Sequence, residues 1–243
     1  MLRWPLVLAF ALTCSTGLFA DAQGPSPAPS PSPAASAEPG PATPDDALEA
    51  LIAGNLRFVA GKPIRQHESS QWRASLTKAQ HPFATILACS DSRVPVELLF
   101  DQGFGDLFTV RVAGNVATPA TSGSILYAVH HLHTQVLLVM GHESCGAVTA
   151  ALKFDELKGK EPKAILDLLE MITPSLSGVD RKEPSAQQLF DGVKANVRNS
   201  IRLLRTVPEL AEAEKSGSLK IVGGVYELST GKLVRVLDQA PTK

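Results

Sequence analysis

Two short stretches of the 243-residue chain combine soft metal ligands with charged groups. The first is Cys89-Ser90-Asp91-Ser92-Arg93 and the second is Gly141-His142-Glu143-Ser144-Cys145-Gly146. His142 and Cys145 stand three residues apart, near enough to share one ion if they open a helix. Cys89 offers a third ligand. Two thiolates and an imidazole make a Cys₂His set, which leaves a fourth tetrahedral position for water or substrate, as a catalytic zinc requires. Asp91 has two possible roles beside such an ion. It can bind the metal, or it can accept a hydrogen bond from a water on it. Arg93, two residues further, can meet Asp91 in a bidentate pair that keeps the carboxylate ionised and draws it off the metal. Without that chemistry the pair is a surface salt bridge, and Cys89 with Cys145 is a disulfide candidate in an oxidising compartment. The residues flanking each cysteine favour the metal. The wide separation of the cysteines and the lack of a Cys-x-x-Cys pattern argue against dithiol redox chemistry.

Both clusters follow apolar runs of strand length. Residues 83–89 (FATILAC) lead into the first, and residues 136–141 (VLLVMG) into the second. Residues 107–112 and 219–226 read as two more strands, and residues 232–237 as an edge strand. Helical patterns lie between them, at residues 121–133, 144–154, 162–172 and 186–206. A further helix starts at Pro44-Asp45-Asp46, with Leu48, Leu51, Ile52, Leu56 and Val59 near helical spacing. The alternation predicts an α/β fold, with a central, mostly parallel sheet flanked by helices. In such folds functional groups collect beyond the carboxyl ends of the strands, where both clusters fall.

The N-terminus has another character. Arg3, the apolar residues 6–12 (LVLAFAL) and Ala20-Asp21-Ala22 have the layout of a secretory signal, here residues 1–22. The apolar core is too short for a stable membrane span. Cleavage would remove Cys14, whose preceding Ala11-Leu12-Thr13 is a poor lipidation signal. Residues 23–44 are mostly Pro, Ala, Ser and Gly, a composition that buries too little apolar surface to order itself, and are expected to be a tether. The catalytic domain is expected over residues 45–238, with a tail at 239–243. The net charge of -1 and 5% aromatic content speak against nucleic acid as a partner. Export would place the protein in a bacterial periplasm.

These motifs resemble those of β-class carbonic anhydrases. Residues 89–95 (CSDSRVP) are similar to the first signature of that family and residues 141–147 (GHESCGA) to the second. Asp106-Leu107-Phe108, the segment from Arg111 to Asn115, and Val222 to Tyr226 followed by Thr230-Gly231-Lys232 also fit, so the resemblance runs from about Asp45 to Leu237. It implies Cys89, His142 and Cys145 as ligands of one zinc per subunit. It implies Asp91 and Arg93 as the catalytic dyad, with Asp91 as fourth ligand in a closed form. The implied activity is reversible hydration of carbon dioxide to bicarbonate and a proton by zinc-bound hydroxide. The implied assembly is a homodimer or homotetramer, with an N-terminal helical arm reaching a partner subunit. Val96 and Val112 depart from the commoner residues at their positions.

Further residues carry weaker expectations. His130, His131 and His133, with His81, are candidate proton shuttles or plain surface histidines. Gln102 is a candidate for the substrate entrance. Gly114 and Gly146 are candidates for close backbone approach. Rival functions on the same residues are carbon disulfide hydrolysis and non-catalytic zinc binding or bicarbonate sensing.

Overall fold

The computed structural model describes residues 40–179 and 185–236. The signal segment, all but the end of the tether, and the tail lie outside the described residues. In chain order the elements are α1 (Pro44–Val59), α2 (Ser70–Ser75), β1 (Ala84–Ala88), α3 (Val96–Leu99), β2 (Leu107–Arg111), α4 (Pro119–His131) and β3 (Val136–His142). They continue with α5 (Gly146–Leu152), α6 (Phe154–Leu157), α7 (Lys163–Ile172), α8 (Ala186–Leu204), α9 (Pro208–Lys215), β4 (Lys220–Tyr226) and β5 (Leu233–Val236).

The strands form one sheet in the order β2-β1-β3-β4-β5. Every pairing is parallel except the last, where β5 runs antiparallel to β4. The edge strand expected at residues 232–237 is this β5. The chain steps outward from β1 to β2, then crosses back over β1 to lay β3 on its other side. That reversal makes the β1/β3 boundary the topological switch point, where a crevice opens beyond the strand ends.

β1 and β3 are buried along their whole length. Their near-continuous apolar runs suit strands covered on both faces. Successive side chains still point to opposite faces. Ile86, Leu138 and Met140 pack with residues of α1 and α3, whereas Leu87, Leu137 and Val139 pack with Val197 and Ile201 of α8. Each such side chain contributes about 1.5–3 kcal/mol through removal from water.

The N-terminal helix is held to its own chain. Thr43 caps α1 and forms a reciprocal capping box with Asp46, so the folded domain begins slightly before residue 45. Leu51 is fully buried. Asn55 donates to the carbonyls of Leu99 (3.1 Å) and Gly231 (3.0 Å) and accepts from the amide of Leu233 (2.9 Å). Gly54 lies so close to Phe100 that an added Cβ would fall 1.8 Å from its carbonyl oxygen. No other residue fits there.

Candidate metal centre

Cys89 is the first residue after β1, and His142 is the last of β3. Cys145 is the N-cap of α5. His142 and Cys145 therefore do not open one helix, as their spacing suggested. A short loop joins them, with Ser144 at φ 55. Helix α5 begins only at Gly146 and ends at Leu152, because Lys153 at φ -99, ψ 19 separates it from α6.

The ligand atoms of Cys89, His142 and Cys145 all lie within 4.8 Å of one another, and all three residues are buried. The Nδ1–H of His142 donates to the carbonyl of Glu143 at 2.8 Å. The bond fixes the tautomer and leaves Nε2 with a bare lone pair. That Nε2 is buried and has no hydrogen-bond partner. An orphaned acceptor between two sulfurs fits a soft or borderline cation such as zinc. Three protein ligands leave one tetrahedral position open.

The two thiols share one hydrogen bond. Cys89 is held down to about 4, chiefly because the Cys145 thiol donates to it, against the effect of burial. The backbone N–H groups of Gly114 and Asp91 add to the lowering. The same shared proton, together with burial, pushes Cys145 up. A cation bound here displaces that proton.

Asp91 and Arg93 form the bidentate pair. Arg93 Nε donates to Oδ1 at 2.9 Å and Nη2 to Oδ2 at 2.7 Å. The backbone N–H of residue 93 also donates to Oδ1 at 2.9 Å. The guanidinium, opposed by desolvation, holds the Asp91 carboxyl well below the usual carboxylate range. Oδ2 stands 3.7 Å from His142 Nε2, at the edge of the ligand set. Arg93 reaches on to the carbonyl of Ser144 at 3.4 Å, linking the two ligand loops.

Sequence reasoning missed three residues behind this centre. Arg111, at the end of β2, donates to the carbonyls of Cys89 (3.0 Å) and Asp91 (2.7 Å). A charged residue closing an apolar strand was its signal. Asn196 and Ser200 of α8 are buried and bond the turn at residues 113–115. Their signal was two polar residues four apart within the apolar stripe of a helix.

Other expectations are corrected. Gln102 is buried, its side-chain oxygen accepting from Gln66 and its NH2 donating to the carbonyl of Phe100. Gly114 has the expected close approach, but Gly146 has open space where a side chain would be. His81 precedes β1, and His130, His131 and His133 precede β3, at the amino ends of the strands. The seven residues of β3 put that end about 20 Å from His142. Within one subunit these histidines are too far away to relay a proton. A groove of about 640 Å³ lined by His81, Tyr127, His131 and His133 lies there, away from the metal centre.

The family profile described as carbonic anhydrase matches residues 84–233. The chain is 41% identical over 194 residues to a carbonic anhydrase of Mycolicibacterium smegmatis, covering 79% of this chain and 93% of that one. It is 40% identical over 191 residues to carbonic anhydrase 2 of Mycobacterium tuberculosis, covering 79% and 92%. Among solved structures, the β-carbonic anhydrase CcaA superposes with a TM-score of 0.63 at 26% identity, over 77% of this chain and 94% of that one. The β-carbonic anhydrase CafA of Aspergillus fumigatus gives 0.61 at 28% identity, over 80% and 92%. Sheet order, sulfur-and-imidazole site and sequence agree: the chain belongs to the carbonic anhydrase family, in its β class, and is a zinc-dependent lyase that hydrates carbon dioxide to bicarbonate.

Proposed function

We propose that Cys89, His142 and Cys145 hold the zinc of this carbonic anhydrase, and that Asp91, tethered by Arg93, orients the attacking water. The observation that carries this reading is the buried, partnerless Nε2 of His142 beside two buried thiols, with Asp91 Oδ2 at 3.7 Å. Zinc bound there supplies Lewis acidity that lowers the pKa of a coordinated water to about 7. Asp91 stays ionised because Arg93 occupies the outward side of its carboxylate. Oδ2 keeps a lone pair free to accept a hydrogen bond from the water and aim the oxygen at carbon dioxide. By bonding both carboxylate oxygens, Arg93 would keep Asp91 from serving as a ligand. Arg111 braces the loop by holding the carbonyls on either side of Ser90. In stopped-flow assays of zinc-loaded protein across pH 6.5 to 9, Asp91→Ala should keep its zinc and lose most turnover. A variant as fast as wild type would remove Asp91 from the mechanism.

We infer separately, from the N-terminal sequence, that the enzyme works outside the cytoplasm. Residues 1–22 act as a cleaved signal, residues 23–42 as a tether, and the periplasm is the destination, supported by Arg3, the apolar core and Ala20-Asp21-Ala22. An exported protein that still begins at Met1 would contradict cleavage. The working unit is a homodimer or homotetramer. In its support, β2 is an edge strand, and Leu98, Phe104 and Tyr127 near it are exposed. Light scattering should give at least twice the chain mass; a monomer at micromolar concentration would contradict it.

A further inference from the structure

Helix α8 spends part of its buried face on polar groups. Asn196 and Ser200 are each 1% exposed, in the stripe that also carries Val193, Val197, Ile201 and Leu204. An amide and a hydroxyl in such a stripe destabilise the fold unless they are paired. Both are paired to one place. Asn196 Nδ2 donates to the carbonyl of Gly114 at 2.7 Å, and Ser200 Oγ donates to the carbonyl of Asn115 at 3.0 Å. The acceptor at Gly114 also fixes which way the Asn196 amide faces.

That place is the turn behind the metal centre. Gly114 and Asn115 sit at φ 69 and φ 44, in the left-handed region. The amide of Asn115 donates to the carbonyl of Val112 at 3.0 Å, closing the turn. With two consecutive carbonyls held from α8, the N–H of Gly114 points at Cys89 Sγ, 3.3 Å away. The arrangement is not the cheapest way to bury these groups, because Asn196 Oδ1 and Asn115 Nδ2 are left without partners.

We propose that Asn196 and Ser200 are positioning residues for the metal centre: through the turn at residues 113–115 they hold the N–H···S hydrogen bond that sets the donor strength of the Cys89 sulfur. An N–H aimed at a thiolate withdraws electron density from it, so the bond tunes how tightly that sulfur binds a cation and orients its lone pairs. Neither residue touches the ion or the substrate. The proposal rests on Cys89 being a metal ligand.

The test uses full-length protein loaded with cobalt(II), whose thiolate-to-metal charge-transfer band reports on the sulfur, and with zinc, released to a chelator. Ser200→Ala removes one oxygen; Asn196→Leu replaces the amide with an apolar group of similar size. Ile201→Val trims the same helix without reaching the turn. Both polar variants should move the charge-transfer band to longer wavelength and, because the more electron-rich sulfur holds the ion more tightly, release zinc more slowly than wild type. Ile201→Val should do neither. If Asn196→Leu does not fold, Ser200→Ala alone decides the matter. A band and a release rate in Ser200→Ala that match those of Ile201→Val would overturn the proposal. A wild-type protein with bound cobalt but no thiolate band would instead overturn the ligand assignment beneath it.

Discussion

Gly114→Ala perturbs the turn behind the metal centre, and its cost separates into two parts. The first is conformational. Gly114 holds φ 69, where an L-residue costs roughly 1–2 kcal/mol. The second is steric. A Cβ would stand 2.5 Å from Ile172 Cδ1 and 3.3 Å from Ala147 Cβ. Ile172 is fully buried in the core cluster that holds Leu152, Leu169 and Leu176, so its Cδ1 cannot withdraw freely. Overpacking of that kind costs about 1–3 kcal/mol. The sum is about 2–5 kcal/mol. Ile172→Val removes the clashing methyl for about 0.5–1.5 kcal/mol of its own. The next atom of Ile172, Cγ1, would be 3.5 Å from the new Cβ, an ordinary contact. The double variant should therefore be more stable than the sum of the single costs implies, by about 1–3 kcal/mol. Urea denaturation of metal-free wild type, both single variants and the double variant, at one protein concentration, measures this coupling. Additivity within about 0.5 kcal/mol would refute the steric reasoning. A Gly114→Ala cost below about 1 kcal/mol would refute both parts.

Two further perturbations follow from the same geometry. Arg93→Met should keep zinc and lower hydration about 10–100-fold, because Asp91, freed of two hydrogen bonds, can take the open position; unchanged turnover would show that the tether has no role. Asp101 is buried, which alone would raise its pKa, but the N–H of Ile64, the Arg57 guanidinium and the N–H of Arg65 together hold it below the usual range. A depressed acid stabilises the fold above its unfolded pKa of about 3.9, and that stability is lost as pH falls through the lower folded value. Asp101→Asn should thus be less stable at neutral pH and lose less on acidification below pH 4, as read from urea midpoints of metal-free protein. Parallel pH profiles for the two proteins would rule this out.

The strands were legible because β1 and β3 are buried on both faces and so read as unbroken apolar runs. Their ends came within a residue or two of the observed ones, and the ligands fall where an α/β sheet opens its crevice. The short helices α2, α3 and α9 were not legible. Six, four and eight residues are too few to show a period. The face of each site residue was legible only in part. The pattern Asp91-x-Arg93 suggested a bidentate pair, whereas the route from α8 to Cys89 spans 82 residues between Asn196 and Gly114 and has no local signal. The histidines were left open between proton transfer and plain surface for the same reason. Residue type suggested proton transfer, but only the strand direction shows that they lie at the far end of the sheet.

The most direct test is to titrate zinc into metal-free protein while following carbon dioxide hydration by stopped flow. The rate should rise in proportion to zinc and level off at one ion per chain, and Cys89→Ser should bind far less zinc and remain at background. Zinc bound to full occupancy with hydration still at background would contradict the assignment of the catalytic centre to Cys89, His142 and Cys145.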